Sequence, residues 1–167
     1  MTSGRNTQLT KLVGEYLVAA ELARRGLFAA TFSGNVPELD IVTSGPNGDH
    51  VPVQVKAKAS GGWQLDISDF ADIVMEGDRQ IVKGIKTTPY PGLVFVFVNV
   101  GDYGSDQFFV IDWISLASLI MKNYVKYLDK HGGRRPKNPK SIHTALDHRD
   151  LMEFKDRWDQ INGTSSE

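Results

Sequence analysis

The chain has 167 residues, with 19 Lys and Arg against 20 Asp and Glu. That length suits one domain with a real core, and a net charge near zero offers no bulk argument for nucleic acid, so any such case rests on local patches. The absence of cysteine excludes a disulfide framework, a thiolate zinc site and a cysteine nucleophile. No apolar run approaches the ~20 residues of a membrane span, and the first residues lack the apolar core of a secretory signal. The expectation is a cytoplasmic protein with no membrane partner.

From Thr7 to Arg25 the pattern is helical, with Leu9, Leu12, Val13, Tyr16, Leu17, Ala20 and Ala23 recurring at the helical period. Thr7 can cap the start, and Gly26 follows as a stop. Glu15 falls at the edge of the apolar arc, where an unpaired carboxylate is disfavoured. It reads either as a salt-bridged edge residue or as an acid aimed at a metal, and wheel position leaves both open.

Leu27 to Phe32 predicts a first strand, followed by a loop over residues 33–37. Leu39-Asp40-Ile41-Val42 and His50 to Ala57 then predict two strands. Gly45-Pro46-Asn47-Gly48-Asp49 is a strong turn signal, so the two runs read as a hairpin. Side chains alternate across a strand. Glu38 and Asp40 should share one face, and Gln54, Lys56 and Lys58 one face, with Leu39, Ile41, Val53 and Val55 pointing the other way.

After Ser60-Gly61-Gly62, Trp63 to Ile67 alternates like an edge strand. Ser68 or Asp69 can cap a segment through about Ile85 that is expected to be mostly helix, although Gly77 interrupts it. Leu93 to Val98 is a continuous β-branched and aromatic run, the mark of a strand buried on both faces. Gln107 to Asp112 predicts the next strand, and Ser115 caps a helix through about Lys130. A basic loop covers residues 132–140. A last helix is expected over about 147–161, on a stripe of Leu151, Phe154, Trp158 and Ile161, with a loose polar tail from Asn162. The order predicts a single α/β domain over 1–167, its core at about 7–130.

Phosphodiester hydrolysis needs a divalent cation to activate water and to neutralise phosphate charge. Magnesium prefers hard oxygens, typically one or two carboxylates with waters. Glu15, Asp40, the Gln54 side-chain oxygen and the Val55 backbone carbonyl are ligands of that kind. Lys56 can supply a fixed positive charge near a scissile phosphate. Lys122, Lys126, Lys130, Arg134, Arg135, Lys137 and Lys140 stand against only Asp129, and the first three fall i,i+4 on one helical face. That strip suits phosphate contacts as well as it suits a solvated surface. Lys58 divides the same way. Glu38 reads as a solvated loop acid, Trp63 as an edge aromatic rather than a base-stacking platform, and Gln64 as a weak candidate for the site. The four histidines lack metal spacing. There is no nucleophile elbow, no P-loop and no dinucleotide fingerprint.

Gly14-Glu15 on the first helix, Gly26 at its end, Asp40 opening the second strand and Gln54-x-Lys56 on the third resemble the PD-(D/E)xK nuclease superfamily, with most likeness to its Holliday-junction-resolvase-like and Mrr-like branches. The resemblance covers about Leu9 to Ala59. It implies a restriction-endonuclease-like fold, α/β with a central mixed five-stranded sheet flanked by helices, and Mg²⁺- or Mn²⁺-dependent cleavage of nucleic acid, usually DNA. By position it implies that Glu15 is the helix acid, Asp40 the metal ligand, Gln54 the (D/E) position and Lys56 the catalytic lysine. Two departures stand out. Two residues separate Pro37 from Asp40, and Gln54 removes one negative charge, as in Mrr-like members. A catalytically inactive nucleic-acid- or protein-binding module on the same fold is the alternative. Nucleases that cut both strands often pair, so a homodimer is compatible; the sequence leaves oligomeric state and substrate structure open.

Overall fold

A computed structural model describes residues 4–32, 34 and 36–161. The expected tail from Asn162 lies outside them. The chain forms two compact units: residues 1–63, 89–113 and 147–167, and residues 64–88 and 114–146.

The first unit is built on a helix and a mixed sheet. α1 spans Gly4–Arg24, β1 Phe28–Thr31, β2 Ile41–Ser44 and β3 His50–Lys58. β4 (Trp63–Asp66), β5 (Ala71–Glu76) and β6 (Arg79–Ile85) follow, then β7 (Val94–Asn99), β8 (Gln107–Asp112), α2 (Trp113–Lys130) and β9 (His143–Leu146). The five-stranded sheet has the order β1-β2-β3-β7-β8. β1–β2, β2–β3 and β7–β8 are antiparallel, and β3–β7 is parallel. This is the mixed five-stranded sheet of the expected fold class. The hairpin register is Ile41↔Val53 through Ser44↔His50, closed by Gly48 N–H to Gly45 O at 3.0 Å with Gly48 at φ 79°.

α1 begins at Gly4, so Thr7 lies within its first turns rather than capping it. It ends in a Schellman motif: Leu27 N–H reaches Leu22 O at 3.1 Å and Gly26 N–H reaches Ala23 O at 3.0 Å, with Gly26 at φ 78°. Its buried stripe is Gly14, Val18 and Leu22. Leu9, Leu12, Val13 and Tyr16 are exposed. The apolar arc of the sequence was therefore rotated from the face that packs. Val18 and Leu22 join Ile41, Val53, Val55, Val94, Val96, Val98 and Val110 in one core. On the other face of the strands, Trp63 stands edge-on to Phe97 and Phe109, at centroid separations of 5.4 and 5.7 Å.

Residues 147–161 do not form the expected helix. After β9 the chain makes turns and two single 3-10 turns, Met152–Phe154 and Trp158–Gln160, with Asp156 at φ 54° between them. Leu151, Trp158 and Ile161 are nonetheless buried. Isolated 3-10 turns bury side chains at spacings that overlap a helical stripe, so the same residues are buried without a helix.

In the second unit, residues 68–85 do not form the expected helix. A 3-10 turn over Ile67–Asp69 leads into the β5–β6 hairpin rather than a helix. Gly77, at φ 60°, closes its tight turn with Asp78. A Gly-Asp pair between β-branched runs is a hairpin signal, and here it outranks helical periodicity. β4 pairs β9 in a separate two-stranded sheet. Buried Gln80 on β6 organises the basic loop. Its amide donates to Pro139 O at 2.5 Å and Ser141 O at 2.9 Å, its oxygen accepts from Tyr124 Oη at 2.6 Å, and its N–H reaches Gly133 O at 2.8 Å.

Candidate functional site

The site is set by where β2 leaves β3. Asp40 lies one residue before β2, so the alternation expected from Leu39 onward does not extend back to Glu38. Pro37-Glu38 instead forms a turn closed by Leu39 N–H to Val36 O at 3.4 Å, with Glu38 at φ 60° and exposed. Pro at the second position and a left-handed third residue define a type II turn, where glycine is favoured. The turn delivers Asp40 to the edge of β3. Its N–H donates to Val53 O at 3.0 Å, and its Oδ2 accepts from Val55 N–H at 2.8 Å. The carboxylate thus takes the place of the acceptor that β2 would have offered to the Val55 N–H. The Val55 carbonyl points to the same side of the strand as its N–H, towards Asp40.

Glu15 arrives from α1. Gly14 sits against Ala57: a Cβ there would lie 2.4 Å from the Ala57 Cβ, so only glycine permits this approach of helix to strand. The Glu15 and Asp40 side chains are 14 % and 11 % exposed, which places two carboxylates in a poorly hydrated spot. Burial, and then repulsion from Asp40, raise the Glu15 carboxyl above its ordinary value. Lys11, one turn earlier on α1, answers both: its Nζ lies 3.6 Å from Glu15 Oε1 and 3.4 Å from Asp40 Oδ1. Sequence reasoning passed over Lys11. Its signal was the i,i+4 spacing to Glu15.

Gln54 and Lys56 flank Val55, the residue that holds Asp40. Val53 and Val55 face the core under α1, so alternation sets Gln54 and Lys56 on the opposite face of β3. Both are half-buried. The structure therefore brings Glu15 and Asp40 together through Lys11. Among the described residues no side-chain contact joins Gln54 or Lys56 to either acid. No group of three His, Cys, Asp or Glu side chains suited to a metal occurs among the described residues either. A cation held here would have two carboxylates and neutral oxygens.

The basic candidates separate by what already engages them. Lys58 donates to the Gly61 carbonyl and lies over the Trp63 ring, 4.1 Å from its centroid, and burial lowers its pKa. Trp63 is itself buried, its Nε1–H donating to Val98 O at 3.2 Å, so it is a packing residue rather than a stacking platform. Gln64 is exposed. Arg135 donates to Tyr124 Oη and to the His143 carbonyl and lies over the Tyr124 and Tyr127 rings. Arg134 pairs with Asp78 at 3.3 Å. Lys122, Lys126, Lys130 and Lys137 are exposed.

Fold and strand order together define the class: an α/β chain with a mixed five-stranded sheet, consistent with the restriction-endonuclease-like fold. Among solved structures, the fold is similar to that of a bacterial homing endonuclease, I-Ssp6803I, at 14% sequence identity, 93% coverage of each chain and a TM-score of 0.50. No family model and no curated protein sequence matches this chain. Among the described residues, no helix is long and apolar enough to cross a membrane.

Proposed function

We propose that the chain is a divalent-metal-dependent nuclease acting on nucleic acid, most simply DNA. The observation that carries this reading is the meeting of Glu15 and Asp40, from separate elements, in one shielded spot with a cationic group between them. The fold likeness to a homing endonuclease supports it.

Glu15 and Asp40 would hold Mg²⁺ or Mn²⁺, with the Val55 carbonyl and water as further donors; Gln54, turned to the opposite face of β3, lies outside that set. The donor set fits, since magnesium takes one or two carboxylates and completes its shell with neutral oxygens and water. When bound, the cation would lower the pKa of water and neutralise phosphate charge. Asp40 is held in place by the Val55 N–H on Oδ2, so Oδ1, which faces Lys11, is oriented before substrate arrives. Lys56 is turned to the opposite face of β3, so the role the resemblance implies for it is not proposed. Lys122, Lys126, Lys130 and Lys137 would contact the backbone phosphates of the substrate. Two copies acting together would suit cleavage of both strands.

The test is incubation of purified protein with supercoiled DNA and Mg²⁺ or Mn²⁺. Nicking that vanishes with chelator and in Asp40→Ala is expected; nicking undiminished by Asp40→Ala would overturn the assignment. A second reading, a binding module without hydrolysis, is favoured by neutral Gln54 at the usual acid position. Salt-sensitive DNA binding without Mn²⁺ uptake would favour it.

A further inference from the structure

The ammonium of Lys11 stands in the place that the nuclease reading gives to a divalent ion. It touches one oxygen of each carboxylate, at 3.6 and 3.4 Å. The two acids are mostly shielded, whereas the Lys11 side chain is 51 % exposed. The acids are therefore held by their surroundings, while the lysine reaches in from solvent on a long flexible stem. Asp40 is fixed independently by the Val55 N–H at 2.8 Å, and Glu15 by the contact of Gly14 with β3. Removing the ammonium from between them would leave two neighbouring carboxylates in a site of limited hydration, which is unfavourable unless another cation replaces it.

We infer that Lys11 is an exchangeable counterion: it neutralises the Glu15–Asp40 pair in the metal-free protein and competes with the divalent cation for the same oxygens. This inference rests on the nuclease reading and assigns a role that Lys56 does not fill, since Lys56 makes no contact with either acid. Metal entry requires Lys11 to swing outward, which its exposure allows without rearranging the helix. The design holds the acid pair assembled before metal arrives, at the cost of weaker apparent metal affinity.

The experiment is Mn²⁺ titration by calorimetry of the metal-free protein, with thermal melting in chelator alongside. Lys11→Met should bind Mn²⁺ more tightly by about tenfold, the scale expected for removing one partly screened charge at roughly 4 Å, and should melt at a lower temperature in chelator. Lys11→Arg keeps the charge and should stay near the wild-type affinity. Lys83→Met removes an exposed charge elsewhere and should leave affinity unchanged. Equal or weaker Mn²⁺ binding by folded Lys11→Met overturns the inference, as does Lys11→Arg behaving like Lys11→Met. Mn²⁺ uptake by neither the wild type nor Lys11→Met overturns the metal-dependent reading itself, and is thereby distinguishable from failure of the lysine's role alone.

Discussion

Two polar clusters in this molecule are built in opposite ways. At Gln80, each polar atom of a buried side chain has a neutral partner: two carbonyls for the amide and a hydroxyl for its oxygen. At Glu15 and Asp40, two like charges share one spot and depend on a lysine that is half in solvent. A fully satisfied neutral network rigidifies a structure and leaves nothing to offer a ligand. A crowded acid pair leaves unmet electrostatic demand, and perturbed acids of that kind cluster at functional sites. The first cluster holds the basic loop, and the second is the one proposed to bind metal.

The largest effect should come from the acid pair. Asp40→Ala removes the best-anchored carboxylate and should lower DNA cleavage by about a thousandfold or more, with little loss of folding, as read by cleavage rate and circular dichroism. Gly14→Ala tests whether the helix must approach this closely. Its Cβ would collide with Ala57, so stability should fall by about 1–3 kcal/mol in denaturant titration. Cleavage should fall by roughly a hundredfold, as expected when a catalytic group is displaced by about 1 Å. At the other cluster, Gln80→Ala should cost about 1–2 kcal/mol by removing the amide's bonds to Pro139 O and Ser141 O and the bond from the Tyr124 hydroxyl, which keeps Ser141 O and Arg135. Proteolysis should then cut the 132–140 loop faster, while Mn²⁺ affinity stays unchanged. Loss of metal binding in that variant would break the division of roles.

Glu15→Gln sharpens the contrast with a sign. The folded protein raises this carboxyl, through burial first and Asp40 second. The folded state therefore binds the proton more tightly than the unfolded chain, and ionised Glu15 costs stability above its folded pKa. That cost is relieved as pH falls through the raised value towards 4.5. Glu15→Gln should melt higher than wild type at neutral pH, with the difference closing below the ordinary glutamate range, and should lose Mn²⁺ binding. The smallest effect is expected at the turn. Glu38→Gly relieves a left-handed residue and should raise stability by up to about 1 kcal/mol, leaving cleavage near wild type.

Much of this arrangement was legible in the residues themselves. The turn at residues 45–49, the alternation along His50–Lys58 and the apolar run at Leu93–Val98 each carry a short-range signal strong enough to specify a strand. Gly26 stopped the first helix because only its left-handed backbone fits there. The hairpin register was left open by the residues; the fold fixed it at Ile41↔Val53, with Val53 and Val55 turned to the core. Where local signals were mixed, the reading failed. Residues 71–85 satisfied a helical stripe and a hairpin with a Gly-Asp turn at once, and residues 147–161 put their large side chains at helical spacing without forming a helix.

What the amino-acid order could not decide was contact at a distance. Which arc of α1 turns inward depends on the shape of β3, because the close fit of Gly14 against Ala57 turns the face of Val18 and Leu22 inward and leaves Leu9, Leu12 and Tyr16 outside. Whether Glu15 is a surface acid or half of a pair depends on Asp40 lying near it, and the turn at Pro37-Glu38 sets Asp40 at the edge of β3, where Lys11 joins the two. Short-range preferences act through neighbouring bonds and are written in the residues; repulsion between two carboxylates acts through space, and exists only once folding has closed the distance.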